Sequence, residues 1–173
     1  MPFPLPFVPR LDYHPSRGHH RYFGAQRPDG RLHAGCDLIA PKGTPIFAMD
    51  DGFVEEYLPS FFRGTAAVSV RHGAYVVRYC EVDPPSLASL RPGMQVKAGQ
   101  QIAVVGRMTH DSMLHFELYS GRSRGPLTVR RNKPFQRRSD LLDPTAFLDK
   151  LKHMVNVCQG RVTLPRACFE VAK

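Results

Sequence analysis

The sequence predicts a mostly β domain with an antiparallel sheet and one helix near the C-terminus. Between Tyr22 and about Glu117, short apolar runs alternate with glycines and prolines, which is the pattern of an all-β domain. Two candidate tight turns, at residues 50–52 (DDG) and 71–73 (RHG), end in a glycine, which readily supplies positive φ. At 173 residues the chain is long enough for one domain with a sizeable core.

The predicted elements follow one another with short connections until a long loop precedes the helix. The predicted strands are Cys36–Ile39, Pro45–Met49, Phe53–Leu58, Ala66–Arg71, Tyr75–Val82, Gln101–Val105 and Leu114–Tyr119. Residues 120–140 form a basic loop with six arginines and one lysine, and loops of this length are usually functional or disordered. Asp143 or Thr145 near the N-cap and Pro144 in the first turn then begin a helix that runs to about Met154.

The two ends of the chain differ in composition from this central domain. Residues 1–21 are predicted to be an N-terminal arm, because three prolines among the first six residues favour an extended chain. Residues 22–155 form the predicted domain and residues 156–173 a tail, with one extra strand as an option. No positive n-region followed by an apolar segment is visible at the start, so the sequence shows no ordinary signal peptide. No stretch approaches the roughly 18–20 apolar residues of a membrane span.

The chain is strongly basic, with a formal net charge of +9 and a pI near 9.8. This charge favours an anionic partner, such as nucleic acid, a membrane surface or a cell-wall polymer, without choosing among them. The sequence has no helix-turn-helix, RNP-like or zinc-finger signature, so nucleic acid is not the expected partner. Arg31 and the basic loop are candidates for contacting peptide carboxylates, with a solvated positive surface as the alternative.

Two separated segments carry the residues of a candidate metal site. His33 and Asp37 are four residues apart, just before the run Ala-Pro-Lys-Gly-Thr-Pro at 40–45, and His115 lies in the last predicted strand. Two imidazoles and a carboxylate make up a zinc ligand set with one open position, the arrangement of a catalytic zinc. A lone H-x-x-x-D pair is a weak signal, but this sequence context strengthens it.

Several motifs together resemble the lysostaphin/LytM-type zinc metalloendopeptidases, which are peptidoglycan hydrolases. They are Phe23-Gly24, residues 33–48 (HAGCDLIAPKGTPIFA), residues 51–54 (DGFV), Gly93 to Gln100, residues 114–117 (LHFE) and Asp143-Pro144. The resemblance covers roughly residues 22–149. It implies a compact antiparallel β-sheet groove domain of the duplicated hybrid motif-like type, Zn²⁺ as cofactor held by His33, Asp37 and His115, and cleavage of peptide bonds in peptidoglycan.

The chain departs from the family pattern at both histidines that assist catalysis. The usual H-x-H motif has Met113 in place of its first histidine, and the usual Tyr-x-His segment is Tyr79-Cys80-Glu81. Methionine cannot transfer a proton, whereas glutamate is a competent general base beside a catalytic zinc. In this interpretation Glu81 accepts the proton of the attacking water, and Tyr79, on the same strand face, stabilises the oxyanion together with the metal. The alternative is a solvated or salt-bridged strand glutamate.

Three further polar residues near these motifs have candidate roles. His110, in the loop before the His115 strand, is a candidate replacement for a missing catalytic histidine, or else an ordinary loop residue. Glu117 shares a strand face with His115 and is a candidate for orienting a metal ligand as an outer partner. His72 is expected to be a turn histidine.

The four cysteines do not form a C-x-x-C pair, so they do not predict a thiolate zinc site. Cys36 and Cys80 are expected to be buried free thiols, each pointing away from the metal because it adjoins a residue that faces it. Cys158 and Cys168 are a candidate disulfide in an oxidising compartment.

Two functions from different classes remain open at the level of sequence. The first is a zinc-dependent endopeptidase that cleaves stem peptides or cross-links of peptidoglycan, and the second is an inactive zinc-binding domain that binds the wall or serves as a scaffold. Without a visible signal peptide, the domain is expected to reach the periplasm or cell wall by a non-classical route. Phage or secretion-system proteins, with type VI secretion preferred, are then the possible partners.

Overall fold

The computed structural model describes residues 1–9, 13–15 and 19–160, with side chains as far as Lys152. Its strands are β1 (Cys36–Ile39), β2 (Pro45–Phe47), β3 (Gly52–Leu58), β4 (Ala66–His72), β5 (Tyr75–Val82), β6 (Gln95–Val96), β7 (Gln101–Val104), β8 (Met113–Tyr119) and β9 (Leu141–Leu142), and its α-helix is α1 (Thr145–Gly160). A 3-10 helix spans Pro84–Leu87. All seven predicted strands are present, with ends within two residues of those expected, whereas β6 and β9 were not predicted.

The strands form one large antiparallel sheet and one small one. The seven-stranded sheet has the order β1-β8-β5-β4-β3-β6, and β9 pairs with the free part of β8. Strands β2 and β7 form the separate two-stranded sheet. The predicted fold class, a mostly β antiparallel domain with one C-terminal helix, is therefore confirmed.

The pairing register of β1, β8 and β5 separates an apolar face from a polar face. Cys36 lies opposite Phe116, and Phe116 opposite Tyr79, so these side chains share one face and lie in the main hydrophobic core. Asp37 lies opposite His115, so both point to the other face. The functional residues therefore stand on the reverse side of the strands that build the core.

Helix α1 and the N-terminal segment also contribute side chains to this core. Leu148 and Leu151 of the helix are buried in it, as are Phe3 and Leu5. The predicted N-terminal arm is thus packed onto the domain along part of its length, and the backbone N–H of Phe47 donates a hydrogen bond to the Pro4 carbonyl at 3.0 Å.

The helix begins as predicted and ends later than predicted. The Asp143 carboxylate accepts a hydrogen bond from the Thr145 N–H at 2.8 Å, which satisfies one of the donors that a helix N-terminus leaves free. The helix continues to Gly160, past the predicted end at Met154, so residues 156–160 are helical and were wrongly assigned to the tail. The rest of that tail, and with it the candidate Cys158–Cys168 disulfide, lies outside the described residues. Among the described helices, none is long and apolar enough to span a membrane.

The basic loop, residues 120–140, is anchored to the domain at several points. The Phe135 ring stacks on Phe23 with centroids 4.8 Å apart, and the Leu32 N–H donates to the Pro134 carbonyl at 3.1 Å. Arg137 and Arg138 are buried, whereas the other four arginines of the loop and its lysine are exposed. The loop therefore lies beside the segment that carries His33 and contributes two cations to the interior.

Candidate metal centre

Three side chains converge on the polar face at the β1–β8 end of the sheet. His33 Nε2 lies 2.9 Å from His115 Nδ1 and 3.0 Å from Asp37 Oδ1, and Asp37 Oδ1 lies 2.8 Å from His115 Nδ1. All three residues are buried. Gly35 permits this approach, because a Cβ there would collide with the Phe116 carbonyl oxygen of β8. We refer to His33, Asp37 and His115 as the His–Asp–His cluster.

Each member of the cluster is held by a partner outside it. His33 Nδ1 lies 2.7 Å from the Tyr22 carbonyl oxygen, and His115 Nε2 lies 3.1 Å from Glu117 Oε1. Since both of these partners are acceptors, each outward-facing ring nitrogen carries the hydrogen. In the neutral imidazoles the two inward nitrogens therefore have no proton. Arg27 donates to the second oxygen of Asp37 at 3.4 Å.

Two imidazole lone pairs and a carboxylate oxygen facing one another require a cation between them. Burial alone would lower the pKa of His115, but its hydrogen bonds to Asp37 and Glu117 raise it to about 10, so a positive charge is favoured at this position. Burial raises the pKa of Asp37, but hydrogen bonds from His115 and His33 outweigh it and hold that pKa well below the usual range. The donor set, two nitrogens and one oxygen with fixed tautomers, fits Zn²⁺.

Glu81 reaches this polar face through an irregularity in β5. The β4–β5 register shifts between Ala66 and Ala67, so that Ala66 pairs with Val82 and Ala67 with Cys80, and Glu81 is the extra residue of a β-bulge. Its φ is +62°, a left-handed conformation that costs a non-glycine residue about 1–2 kcal/mol. The residue before it, Cys80, pairs with His115, and the charges that act on the Glu81 carboxyl group include those of His115 and Asp37.

The Glu81 carboxyl group is buried without a hydrogen-bond partner for one of its oxygens. Oε2 is inaccessible to solvent and has no partner within the described residues. Burial raises the pKa of Glu81 to about 7, against the opposing effect of the His115 charge. A carboxyl group with a pKa near neutrality and a free oxygen has the properties of a general acid or base. Glu81 is buried, so a solvated strand glutamate, one of the alternatives, does not describe it.

The expected position of Tyr79 was wrong. Tyr79 is fully buried on the apolar face, where its ring packs edge-on against Phe116 at 6.0 Å. Its hydroxyl accepts from the Met49 N–H at 3.2 Å and lies 3.2 Å from His72 Nε2. Tyr79 and Glu81 do not share a strand face, because the bulge reverses the alternation after Cys80. Tyr79 therefore cannot contact an oxyanion formed at the cluster.

Cys80 precedes the bulge and lies in regular register with β8. Cys36 and Cys80 are both buried free thiols, as expected, and Cys36 lies in the apolar core. Cys80, however, pairs with His115 and shares its face, and its sulfur lies within 4.8 Å of a ligand atom of His115 and of Glu117. The expectation that Cys80 points away from the metal site was wrong. Burial raises the pKa of Cys80 well above its usual value, so it stands there as a neutral thiol.

The remaining predicted site residues fall into two groups. Met113 begins β8 on the same face as His115, two residues away, and is partly buried. His110 is exposed in the preceding loop, and within residues 19–152 no hydrogen bond links it to the cluster. His72 ends β4, is buried, and bonds to Tyr79 on the apolar side, which agrees with a structural histidine. The structure thus brings Glu81 to the cluster and leaves His110 a prediction without a contact.

Two arginines that the sequence interpretation did not single out contact the site. Arg27 bonds to Asp37, and Arg137 of the basic loop donates from Nε to Glu117 Oε1 at 2.8 Å. Glu117 itself lies 3.1 Å from His115 Nε2, which is the contact that an orienting residue would make. The sequence indicates only that the loops are basic and does not predict these two contacts. Each contact joins residues that are ten or more positions apart and depends on the shape of a loop.

A mostly β fold that holds two imidazoles and a carboxylate on one sheet face has the donor set of a metal-binding domain. The sequence model of Peptidase family M23 matches residues 31–126, more than half of the chain. The chain therefore belongs to peptidase family M23, and the predicted resemblance to lysostaphin/LytM-type peptidases is confirmed.

Curated relatives match the same domain but are much longer proteins. Peptidoglycan DD-endopeptidase ShyC of Vibrio cholerae is 36% identical over 104 residues, which are 57% of this chain and 23% of ShyC. An uncharacterized metalloprotease of Haemophilus influenzae is 33% identical over 122 residues, which are 68% of this chain and 24% of that protein. The chain thus spans about a quarter of the length of these two relatives.

Solved structures of the family share the fold. LytU is 26% identical, with a TM-score of 0.56 over 81% of this chain and 90% of LytU. The prophage-encoded M23 protein EnpA from Enterococcus faecalis is 28% identical, with a TM-score of 0.52 over 80% of this chain and 89% of the EnpA catalytic domain. The catalytic domain of lysostaphin from Staphylococcus simulans, 24% identical with a TM-score of 0.55 over 74% of this chain and 89% of that domain, is similar in fold.

Proposed function

We propose that this domain is a zinc-dependent endopeptidase of peptidoglycan in which Glu81 is the general base. The observation that carries the proposal is the convergence of two imidazole nitrogens and a carboxylate oxygen on one face of the sheet, together with a buried carboxyl group that has an unpartnered oxygen. Membership of family M23 supports the peptidase class. Similarity to a peptidoglycan DD-endopeptidase supports the substrate.

His33, Asp37 and His115 are the proposed zinc ligands, and their outer partners fix how they present their lone pairs. When bound, zinc with an open position supplies Lewis acidity, which favours deprotonation of a water and polarises a carbonyl oxygen. Glu81 accepts a proton from the water that attacks the peptide carbonyl carbon. As the C–N bond breaks, Glu81 returns that proton to the amine nitrogen of the departing chain. One residue therefore serves as base and then as acid.

The charge of the chain is compatible with this substrate. Peptide stems of peptidoglycan carry carboxylates, and the exposed arginines of the basic loop lie beside the segment that presents His33. Long-range attraction between such surfaces raises the encounter rate and falls with ionic strength. The site of action is accordingly the cell wall, and the delivery route stays a prediction from the sequence.

Digestion of purified peptidoglycan tests the proposal. We expect the protein to release new amino termini, to lose this activity with a metal chelator and to regain it with added Zn²⁺. Mass spectrometry of the released fragments would then show which peptide bond is cut. Turnover that persists in excess chelator would contradict zinc dependence.

A second candidate is a zinc-binding wall domain without catalysis, and the observation in its favour is the replacement of a family histidine by Met113 beside His115. It predicts sedimentation of the protein with insoluble peptidoglycan and one bound zinc per chain, but no new amino termini. The digestion experiment separates the two candidates directly, because only the endopeptidase changes the products.

A further inference from the structure

The carboxylate behind His115 belongs to a buried charge network that includes the basic loop. We propose that Glu117 and Arg137 are positioning residues: Arg137 fixes the Glu117 carboxylate, and Glu117 holds the His115 ring so that Nδ1 presents its lone pair to the metal. The proposal rests on the zinc site described above. It assigns to the C-terminal end of the basic loop a role in metal affinity.

Both oxygens of Glu117 are occupied by donors. Oε1 accepts from Arg137 Nε at 2.8 Å and lies 3.1 Å from His115 Nε2, while Oε2 accepts from the Tyr119 hydroxyl at 2.6 Å. Arg78 Nη1 stands 3.7 Å from Oε2. Glu117 is completely buried. A carboxylate with this many donors has one orientation, and it imposes that orientation on the His115 ring.

Burial of an ionised carboxylate requires compensating positive charge. Arg78, on the neighbouring strand directly opposite Glu117, supplies part of it, and Arg137 supplies the shorter contact. Arg137 comes from the basic loop, and its backbone pairs with Thr128, whose hydroxyl accepts from Arg78 at 2.9 Å. The loop and the sheet are therefore tied together through the same two arginines that neutralise Glu117.

The basic loop contains two neighbouring buried arginines, and one can serve as a control for the other. Comparing their variants distinguishes an effect on metal binding from a general loss of stability. Arg137 and Arg138 are both buried, and each forms a charged hydrogen bond to a carboxylate. Arg138 pairs with Asp140 through two nitrogens, at 2.6 and 3.1 Å, within the loop itself. Substitution of either arginine by glutamine removes one buried ion pair, but only the Arg137 substitution removes a direct donor to Glu117. Arg138 is one step further away, because its guanidinium lies over the ring of Tyr119, 5.5 Å from the centroid, and the Tyr119 hydroxyl is the group that contacts Glu117.

The test is the zinc affinity of the whole chain, measured by competition with a chromogenic chelator. We expect Glu117→Gln to weaken zinc binding about 10–100-fold, and Arg137→Gln about 10-fold, the range for loss of an outer partner of a metal ligand. Arg138→Gln should bind zinc as tightly as the unmodified chain. Circular dichroism of each variant establishes that it is folded, and Arg137→Gln carries the test if Glu117→Gln does not fold.

A spectroscopic measurement adds a readout that lost stability alone does not move. The visible absorption of the Co²⁺-loaded protein reports coordination geometry, and we expect it to change in Glu117→Gln and Arg137→Gln and to stay unchanged in Arg138→Gln. Equal zinc affinity and equal Co²⁺ spectra in Arg137→Gln and Arg138→Gln would overturn the inference while leaving the zinc site in place. Failure of the unmodified chain to bind zinc would overturn the proposed function and this inference together.

Discussion

The His–Asp–His cluster and the Glu81 bulge lie side by side on one sheet face and are built in opposite ways. Every polar atom of the cluster has a partner, and Asp37 and His115 lie in regular register on adjacent strands. Glu81 has a left-handed backbone, an interrupted register and a buried oxygen without a partner. The side chains of the cluster are each fixed by hydrogen bonds. Glu81, in contrast, has an unfavourable backbone conformation and an unsatisfied oxygen, which the surrounding structure imposes on it.

This difference supports the proposal that the cluster binds the metal and that Glu81 exchanges protons. Groups that coordinate an ion benefit from fixed tautomers and satisfied outer atoms, since these lower the cost of holding the ligands together. A group that exchanges protons needs a free oxygen and a pKa near neutrality, which burial provides for Glu81. Strained backbone and unpaired polar atoms persist where the surrounding structure imposes them, and they concentrate at functional sites.

Removal of one cluster ligand should have the largest effect. We expect His115→Ala to lose zinc and all peptidoglycan cleavage, with a loss of affinity beyond the roughly 10–100-fold that an outer partner costs. His72→Ala is the matched control, since His72 is also buried in the sheet but faces the core and bonds to Tyr79. It should retain one zinc per chain. Metal analysis of both purified variants decides the point, and a zinc-loaded His115→Ala protein would contradict the assignment.

Loss of the proposed base should remove turnover and leave the metal. We expect Glu81→Gln to lower kcat/KM by about 10²–10⁴, the range for general acid–base catalysis, with unchanged zinc content. Glu55→Gln serves as control, because Glu55 pairs with Arg71 at the interface of β3 and β4. If Glu81→Gln cleaves peptidoglycan at the normal rate, Glu81 is not the base.

The pH dependence of cleavage should report the ionisation of the Glu81 carboxyl group. Glu81 acts as base only when deprotonated, so kcat/KM should fall about tenfold per pH unit below its apparent pKa. Burial raises the pKa of Glu81 to about 7, and the positive charge of bound zinc favours the carboxylate, so the midpoint should lie at or below neutrality. A pH–rate profile measures it. An acid limb that is unchanged in the residual activity of Glu81→Gln would assign the ionisation to another group.

The regular part of the site was predictable from sequence, and the irregular part was not. His33 and Asp37 are close in sequence, and His115 lies in a strand whose alternation is regular, so their shared face followed from the two-residue period. That same period gave Tyr79 and Glu81 a common face, which the bulge at Glu81 makes impossible. The sequence has no glycine at this bulge to signal positive φ, so one hidden irregularity produced the errors at both Tyr79 and Cys80.

The outer partners of the cluster were also largely beyond sequence reasoning. Glu117 was predictable because it lies two residues from His115 on the same strand face. Arg137 and Arg27 belong to loops, whose shape depends on packing such as the stacking of Phe135 on Phe23. The helix end was missed for a related reason, since residues 155–160 (VNVCQG) contain no breaker before Gly160. Local sequence patterns therefore predicted the fold class and the strands. The outer contacts of the site depend on residues that are far apart along the chain and were not predictable in this way.

The cost of the Glu81 conformation should appear in the stability of the zinc-free protein. At pH 8 we expect Glu81→Gly to raise the free energy of unfolding by about 1–3 kcal/mol, because it removes both a left-handed non-glycine residue and a buried unpaired charge. The pKa of Glu81 in the folded state is about 7, which is above its value in the unfolded state. The contribution of the protonated side chain to the free energy of unfolding is therefore complete below about pH 4.5 and is lost as the pH rises through 7.

The gain in Glu81→Gly should therefore shrink as pH falls to 5. Arg63→Gly is the matched control: Arg63 also has positive φ, 46°, but is exposed in a turn, so its gain should be below about 1 kcal/mol and independent of pH. Urea unfolding at the two pH values measures both differences. An identical gain in the two variants at pH 8 would show that only backbone strain, and no buried charge, distinguishes Glu81.

The smallest expected effect concerns Tyr79, which the strand period alone would have placed beside the reacting groups. Its hydroxyl bonds to the Met49 N–H and to His72 on the core side, so Tyr79→Phe should cost about 1 kcal/mol of stability through the lost hydrogen bonds. Zinc content and kcat/KM should stay unchanged, because Tyr79 lies in the apolar core, on the face of the sheet opposite to the one that carries His115. A loss of kcat/KM comparable to that of Glu81→Gln, in a variant that unfolds at nearly the same urea concentration, would mean that the tyrosine reaches the substrate after all.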